Sequence, residues 1–322
     1  MKLKTVFRYR FLIFIILLVL ILEGVLRLKF GLGNPVLSQT DSATGYRFQP
    51  NQNITRFGRK IIYNQYSQRS DRLTSQNPKN TLRILMVGDS VLNGGTLTDQ
   101  KQTISEQLEA QIKKTGINTE VLNASAGSWG IGNQLGYLQK FGTFASDLLI
   151  LQIGTHDLIQ PTSVGDRVGI DPNYPDHKPF LALQEMFSRY LLPQFSLRLH
   201  LQPPYPEIPP TLTPEEQFHE NLLLLDRILK RDRTLPIIVL FTPNRVDVLP
   251  NADLPAYKTK FLQFLKTRHI SFIDTHLAWS QYPATTTESY FRDVVHLTPA
   301  GNSAIAKLLF EQICQRDRLC SL

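Results

Sequence analysis

The chain reads as an α/β protein. A mostly parallel five-stranded sheet covered by helices on both faces is expected, behind one apolar helix at the N-terminus. Three observations predict this. Short runs dominated by apolar residues at 82–88, 119–124, 148–154, 236–242 and 270–274 mark strands buried on both faces. Helical periodicity at 103–114, 133–144, 215–231, 254–268 and 299–315 alternates with those runs, and such alternation implies parallel pairing. The third is the uninterrupted apolar stretch Phe11 to Leu22, which continues past Glu23 and Gly24 to Leu28.

The N-terminal stretch comes first. Up to Leu28 it approaches the roughly 18 to 20 residues that span a bilayer. Lys2, Lys4, Arg8 and Arg10 precede it, and only Arg27 and Lys29 lie at its far end. That asymmetry places residues 1–10 in the cytoplasm, 11–28 in the membrane and the rest outside the cytoplasm. No small-x-small cleavage site follows, so a retained signal anchor is expected, with a cleaved signal peptide as the alternative. Removing those six bases and the acid Glu23 lowers the net charge from +8 to +3, so most of the basic balance belongs to the anchor. No basic and aromatic stripe suggests nucleic acid.

Residues 29–80 are polar and read as a linker. Within it, 54–57 and 60–63 flank Gly58 as a small hairpin that packs on the main domain. The main domain is expected over 81–322. Its rhythm breaks at 160–214, a proline-rich stretch without legible elements. The aromatics Tyr174, Phe180, Phe187, Tyr190, Phe195 and Tyr205 argue against disorder there. A segment of that length following the third strand reads either as a substrate cap or as a structural flap. Cys314 and Cys320 are spaced for a small disulfide loop or stand as two thiols, and neither is placed for catalysis.

The residues that carry chemistry lie at strand ends. Gly88-Asp89-Ser90 follows the first strand, where a serine can act as nucleophile. Asp293 and His296, three positions apart, can supply a base and the carboxylate that orients it. Thr298 and Pro299 then open the last helix as N-cap and first residue. Asp274 and His276 form a rival pair after the fifth strand. No three convergent ligands are legible, so no metal is expected. Gly127-x-x-Gly130-x-Gly132 does not match a dinucleotide fingerprint, so no cofactor is expected either.

Four blocks, in order and on the matching elements, resemble the SGNH/GDSL hydrolases over roughly 80–312. They are Gly88-Asp89-Ser90-Val91-Leu92-Asn93-Gly94, Asn123-Ala124-Ser125-Ala126-Gly127, Gly154-Thr155-His156-Asp157, and Asp293 through Asn302. The resemblance implies a flavodoxin-like three-layer α/β/α sandwich and serine esterase chemistry. It implies Ser90 as nucleophile, His296 as base and Asp293 as its orienter, with backbone N–H groups of Ser90 and Gly127 in the oxyanion hole. Two departures stand out. His156 occupies the place of an asparagine whose amide is the third oxyanion donor; its ring N–H could donate instead. The second block's glycine often falls one place later, at Ser128, so either Gly127 or Ser128 could face the oxyanion.

These readings lead to an extracytoplasmic, membrane-anchored esterase. Its expected substrate is an acyl ester of a glycan or lipid, O-acetyl groups first, cleaved through an acyl-Ser90 intermediate. Two alternatives use the same fold. One is an O-acyltransferase in which a glycan hydroxyl replaces water. The other is a non-catalytic glycan-binding or assembly protein, which the His156 departure favours.

Overall fold

The computed structural model describes residues 2–73, 80–199, 211–250, 252–316 and 320. The central sheet has the order β6-β5-β7-β8-β9 and is parallel throughout; its strands are given below with the two hairpins that precede them. The hairpins are β1 (Ser38–Asp41) with β2 (Gly45–Phe48), and β3 (Gln52–Arg56) with β4 (Arg59–Tyr63). The sheet strands are β5 (Leu82–Gly88), β6 (Thr119–Ser125), β7 (Leu148–Gly154), β8 (Ile237–Thr242) and β9 (Ser271–Asp274). The helices are α1 (Lys2–Phe30), α2 (Ser90–Asn93), α3 (Ile104–Lys113), α4 (Ile131–Phe141), α5 (Ala182–Glu185), α6 (Leu192–Arg198), α7 (Pro214–Leu229), α8 (Lys258–Thr267), α9 (Thr275–Trp279), α10 (Ala284–Ser289) and α11 (Pro299–Phe310).

Why the strands are continuously apolar is visible in the packing. Successive side chains alternate between faces, and both faces are covered. Leu85, Val87, Leu149, Leu151, Ile153, Val239 and Phe241 join one core with residues of α4, α7 and α8. Ile84, Met86, Leu148, Ile150, Ile238 and Leu240 join the other with residues of α3 and α11. The expected five-stranded α/β sandwich is therefore present, with the strand at 148–154 ending where its pattern ends.

Elements differ from expectation where tertiary contacts decide. The hairpin β1–β2 was not legible. Part of 160–214 is helical: α5 passes through a π-helical turn, Met186–Leu191, into α6. Pro193 follows that π-helical turn within a continuous helical run, where its ring removes one N–H from the helical ladder, so it disturbs the regular α-helix without ending the run. The proline-dense part at 200–210 lies outside the described residues. The last helix ends at Phe310 and continues as a π-helical turn, Glu311–Arg316. Cys314 and Cys320 are joined as a disulfide.

α1 contains a span, Phe7–Phe30, long and apolar enough to cross a membrane. Its C-terminal end is built into the domain. Phe57 at the β3–β4 turn donates its N–H to the Phe30 carbonyl at 3.0 Å. Gly31 sits at φ +69, and a Cβ there would lie 2.2 Å from the Thr55 carbonyl oxygen, so only glycine fits this junction.

Candidate active site

The C-terminal ends of β5, β6, β7 and β8 gather the expected residues on one edge of the sheet, the edge where open α/β sheets bind ligands. At the end of β5 the backbone turns from Gly88 into α2. Asp89 is the N-cap: its Oδ1 accepts the Val91 N–H at 2.7 Å. Gln152 of β7 accepts the Asp89 N–H at 3.0 Å and donates to Thr242 Oγ1 of β8 at 3.0 Å. A Cβ on Gly88 would meet that glutamine oxygen at 2.4 Å. The glycine thus lets the turn close against β7 and sets Ser90 as the first residue of α2, half-buried. Among the described residues Ser90 Oγ has no hydrogen-bond partner.

The segment after α2 is braced from the N-terminal region. Arg69, fully buried, donates to the carbonyls of Asn93, Gly95 and Thr98 at 2.5 Å each. Tyr63 of β4 donates to Asn93 Oδ1 at 3.1 Å, and Asn93 donates in turn to the Ser125 carbonyl at 2.9 Å.

His296 and Asp293 form the expected pair. His296 Nδ1 lies 2.9 Å from both carboxylate oxygens of Asp293. Asp293 Oδ1 also accepts the backbone N–H of His296 at 2.8 Å and of Val295 at 3.0 Å. Partial burial works against the charge, but these N–H bonds and the imidazole hold the Asp293 carboxyl below its usual value. The loop is pinned to the site edge from two sides. Arg245, just after β8, donates its N–H to the Val294 carbonyl at 2.7 Å, and Arg292 donates to Thr98 Oγ1 at 3.3 Å. Among the described residues no hydrogen bond joins His296 Nε2 to Ser90.

The rival pair is arranged differently. Asp274 contacts Lys258 Nζ at 2.9 Å and caps Leu277, while His276 Nδ1 lies 2.8 Å from the same Lys258 Nζ. A cation therefore stands beside His276. Burial and Lys258 push its pKa down, which opposes the protonation a catalytic base must undergo.

His156 follows β7 and faces inward. Its Nε2 is 2.7 Å from Asp89 Oδ2, and its Nδ1 is 3.0 Å from Asn244 Oδ1 in the loop after β8. Asp157 Oδ1 lies 3.6 Å from Nε2. Burial disfavours the charged ring, but Asp157 and the Asp89 hydrogen bond outweigh it and raise His156 to about 10. Both ring nitrogens then donate, and an oxyanion bond from His156 would require one of these contacts to open. Burial and the neighbouring Asp89 charge raise the fully buried Asp157 carboxyl. The 2.7 Å spacing within Asp89–His156–Asp157 is a hydrogen bond, tighter than the roughly 3.3 Å between two ligands of one tetrahedral zinc.

The loop after β6 supplies backbone. Ser128 has φ 56, a left-handed conformation that favours glycine. Among the described residues neither the Gly127 nor the Ser128 N–H has an acceptor. Tyr46, from β2, donates its hydroxyl to the Gly127 carbonyl. Tyr174 OH lies 3.1 Å from Ser128 Oγ. Beside this loop opens a cavity of about 450 Å³, lined by Tyr46, Ser128, Thr162, Arg167 and Tyr174 among others. The first part of the 160–214 insertion thus forms a wall beside the candidate oxyanion loop, and its helical part packs elsewhere.

Gln152, Asn244, Arg69 and Tyr46 were not singled out from sequence, and Asp89 entered only as a member of the Gly88-Asp89-Ser90 block. Gln152 carried a signal, a polar residue inside an apolar strand. Asn244 carried a weaker one, two residues past the end of β8.

No curated protein sequence matches this chain. Among solved structures, a GDSL-family lipolytic protein from Veillonella parvula is 14% identical, with 73% of this chain and 98% of that chain covered and a TM-score of 0.42. A lipase/acylhydrolase from Enterococcus faecalis is 16% identical, covering 73% and 96%, with a TM-score of 0.41. An acetyl-xylooligosaccharide esterase variant from Geobacillus is 15% identical, covering 72% and 93%, with a TM-score of 0.42. Residues 86–304 match the GDSL-like lipase/acylhydrolase family as a whole. That match runs from the strand before Ser90 into the helix after His296, and with it the chain belongs to the GDSL-like lipase/acylhydrolase family of hydrolases.

Proposed function

We propose that this hydrolase is a serine esterase anchored in the membrane by α1, with its catalytic domain outside the cytoplasm, acting on O-acyl esters of a glycan or lipid. The observation that carries the reading is the Asp293–His296 pair. One ring nitrogen is held 2.9 Å from the carboxylate, and among the described residues the other is unengaged. On this reading His296 Nε2 takes the Ser90 hydroxyl proton as Oγ attacks the acyl carbon. His296⁺ then gives the proton to the departing alkoxide, leaving acyl-Ser90. Water, deprotonated by the same nitrogen, attacks the acyl carbon; the acyl–Oγ bond breaks, the proton on His296 returns to Ser90 Oγ, and the acid leaves. The tetrahedral oxyanion is held by the N–H of Ser90 and the Gly127–Ser128 backbone. His156 acts as a positioning residue: as a cation it orients Asp89, which caps α2 at Ser90.

The cavity beside Ser128 supports a small acylated sugar. Its volume is in the range of small-ligand sites, and it offers tyrosine faces, hydroxyls and one guanidinium. The basic residues before Phe11 support the orientation of α1. The test is labelling of the full chain with a fluorophosphonate and turnover of a small chromogenic acetate ester. Both should vanish in Ser90→Ala. Labelling that survives the substitution removes Ser90 from the mechanism.

A further inference from the structure

The end of α1 is not followed by a free tether. Glu23, inside the apolar helix, accepts the backbone N–H groups of Ala182 at 2.8 Å and Leu183 at 3.0 Å, as well as Arg27 Nε at 2.6 Å. Arg27 Nη2 donates to the Phe180 carbonyl at 2.8 Å. One turn further, Glu185 accepts the Gly33 N–H at 2.6 Å and pairs with the buried Arg56 at 2.5 Å. Leu26, Leu32 and Ala182 form a small core there, with Phe30, Phe57 and Met186 against it. The start of α5 is therefore fixed at the level of residues 23–27 of α1.

That level can be placed against a bilayer. A hydrocarbon core of about 30 Å needs about 20 helical residues. The apolar run between Arg10 and Glu23 holds only twelve residues. A span of full length, whether begun at Phe7 or at Phe11, must include the turn around Glu23. The charge there is matched by Arg27 and two N–H groups, as a carboxylate at the hydrocarbon edge requires. At this same level, set by the Arg27–Phe180 and Glu23–Ala182 bonds, the domain presents Phe180, 87% exposed, and Leu181, 39% exposed, and the helix presents Val25 and Leu28, also exposed. Lys29 and Lys178, both exposed, flank them with charge suited to anionic headgroups.

We propose that the rim Phe180–Leu181 beds in the headgroup–acyl boundary of the bilayer beside α1, so that the catalytic domain is seated on the membrane and not merely tethered to it. The occupant of this apolar edge is lipid. The proposal rests on the reading of α1 as a membrane span, and its test separates the two. The native tryptophans, Trp129 and Trp279, are both buried and give a constant background.

The experiment reconstitutes the full chain in phosphatidylcholine–phosphatidylglycerol vesicles with and without brominated acyl chains. Tryptophan emission is compared for the parent, Leu17→Trp and Phe180→Trp, each checked for folding by circular dichroism, with Leu181→Trp as a second rim reporter. Expected is bromolipid quenching and a blue shift for both Leu17→Trp and the rim variants, and neither for the parent. Quenching of Leu17→Trp without quenching at either rim position overturns the seated domain and leaves the anchor standing. Absence of quenching at Leu17→Trp overturns both readings. A blue shift at Phe180→Trp without bromolipid quenching marks a contact with a second copy instead, and also overturns the proposal.

Discussion

Two histidines sit with aspartates on the same edge of the sheet, and their surroundings are opposite. His296 lies in a partly exposed loop, with one ring nitrogen on Asp293 and the other unengaged among the described residues. His156 is enclosed by Asp89, Asp157 and Asn244, with both nitrogens engaged. A base must gain and lose a proton in each cycle, so it needs one free nitrogen and an accessible proton path. A histidine set against Asp89, the Asp157 carboxyl and an amide oxygen favours its charged form. His276, beside Lys258, shows a third outcome, in which a neighbouring cation disfavours protonation. An Asp/His pair is thus defined by what surrounds the ring, not by its spacing in sequence.

The comparison is broken most directly by removing each ring in turn. Ser90→Ala and His296→Ala should each lower kcat/KM on an acetate ester by roughly 1000-fold or more, because members of one catalytic unit fail together. His276→Ala should be mild in the same assay. A crippled His276→Ala beside an active His296→Ala would reverse the assignment.

His156 should report on stability before chemistry. His156→Ala leaves the Asp89 carboxylate buried with its cation gone, and should cost about 3 kcal/mol in a denaturant titration. Its kcat should also fall, since the N-cap at Ser90 loosens. His156→Asn introduces the amide that the resemblance implies at this place but cannot bridge both Asp89 and Asn244. It should keep more activity than the alanine variant while still losing stability. An alanine variant as stable as the parent would show that the cluster does not hold the turn.

The same cluster predicts a pH dependence with a definite sign. His156 is raised from 6.5 in the unfolded chain to about 10 in the fold, so its contribution is fully present below pH 6.5 and is lost as pH rises towards 10. The raised Asp157 carboxyl gives the same direction, because the unfolded chain releases that proton first. Unfolding free energy of the parent should therefore decline between pH 6.5 and 10, and His156→Gln should flatten that decline. An equally steep decline in the variant would assign it to other groups.

The smallest expected effect lies at the oxyanion loop. Tyr46→Phe removes the hydroxyl that fixes the Gly127 carbonyl and should cost about 1 kcal/mol of stability, with a drop in kcat larger than any change in KM. Tyr174→Phe, which loses only a contact to Ser128 Oγ at 3.1 Å, should change both less. Equal effects from the two would mean that the loop is not positioned from β2.

Much of this was written locally. A buried parallel strand needs apolar residues on both faces, so the runs at 82–88 and 148–154 announce themselves without partners. The cap at Thr298-Pro299 is set by residues adjacent in the chain, and the apolar run from Phe11 likewise needs no fold to be seen. By contrast, the environment of His156 depends on Asp89 and Asn244, 67 and 88 positions away. The helix in the insertion was masked by its prolines, and its place was set by Glu23, 159 positions earlier. The rule is physical. Backbone preference and burial pattern act between near neighbours and can be read along the chain. The protonation and free valences of a titratable side chain depend on charges that only folding brings within a few ångströms, so the surroundings that set His296, His156 and His276 apart exist only in the tertiary structure.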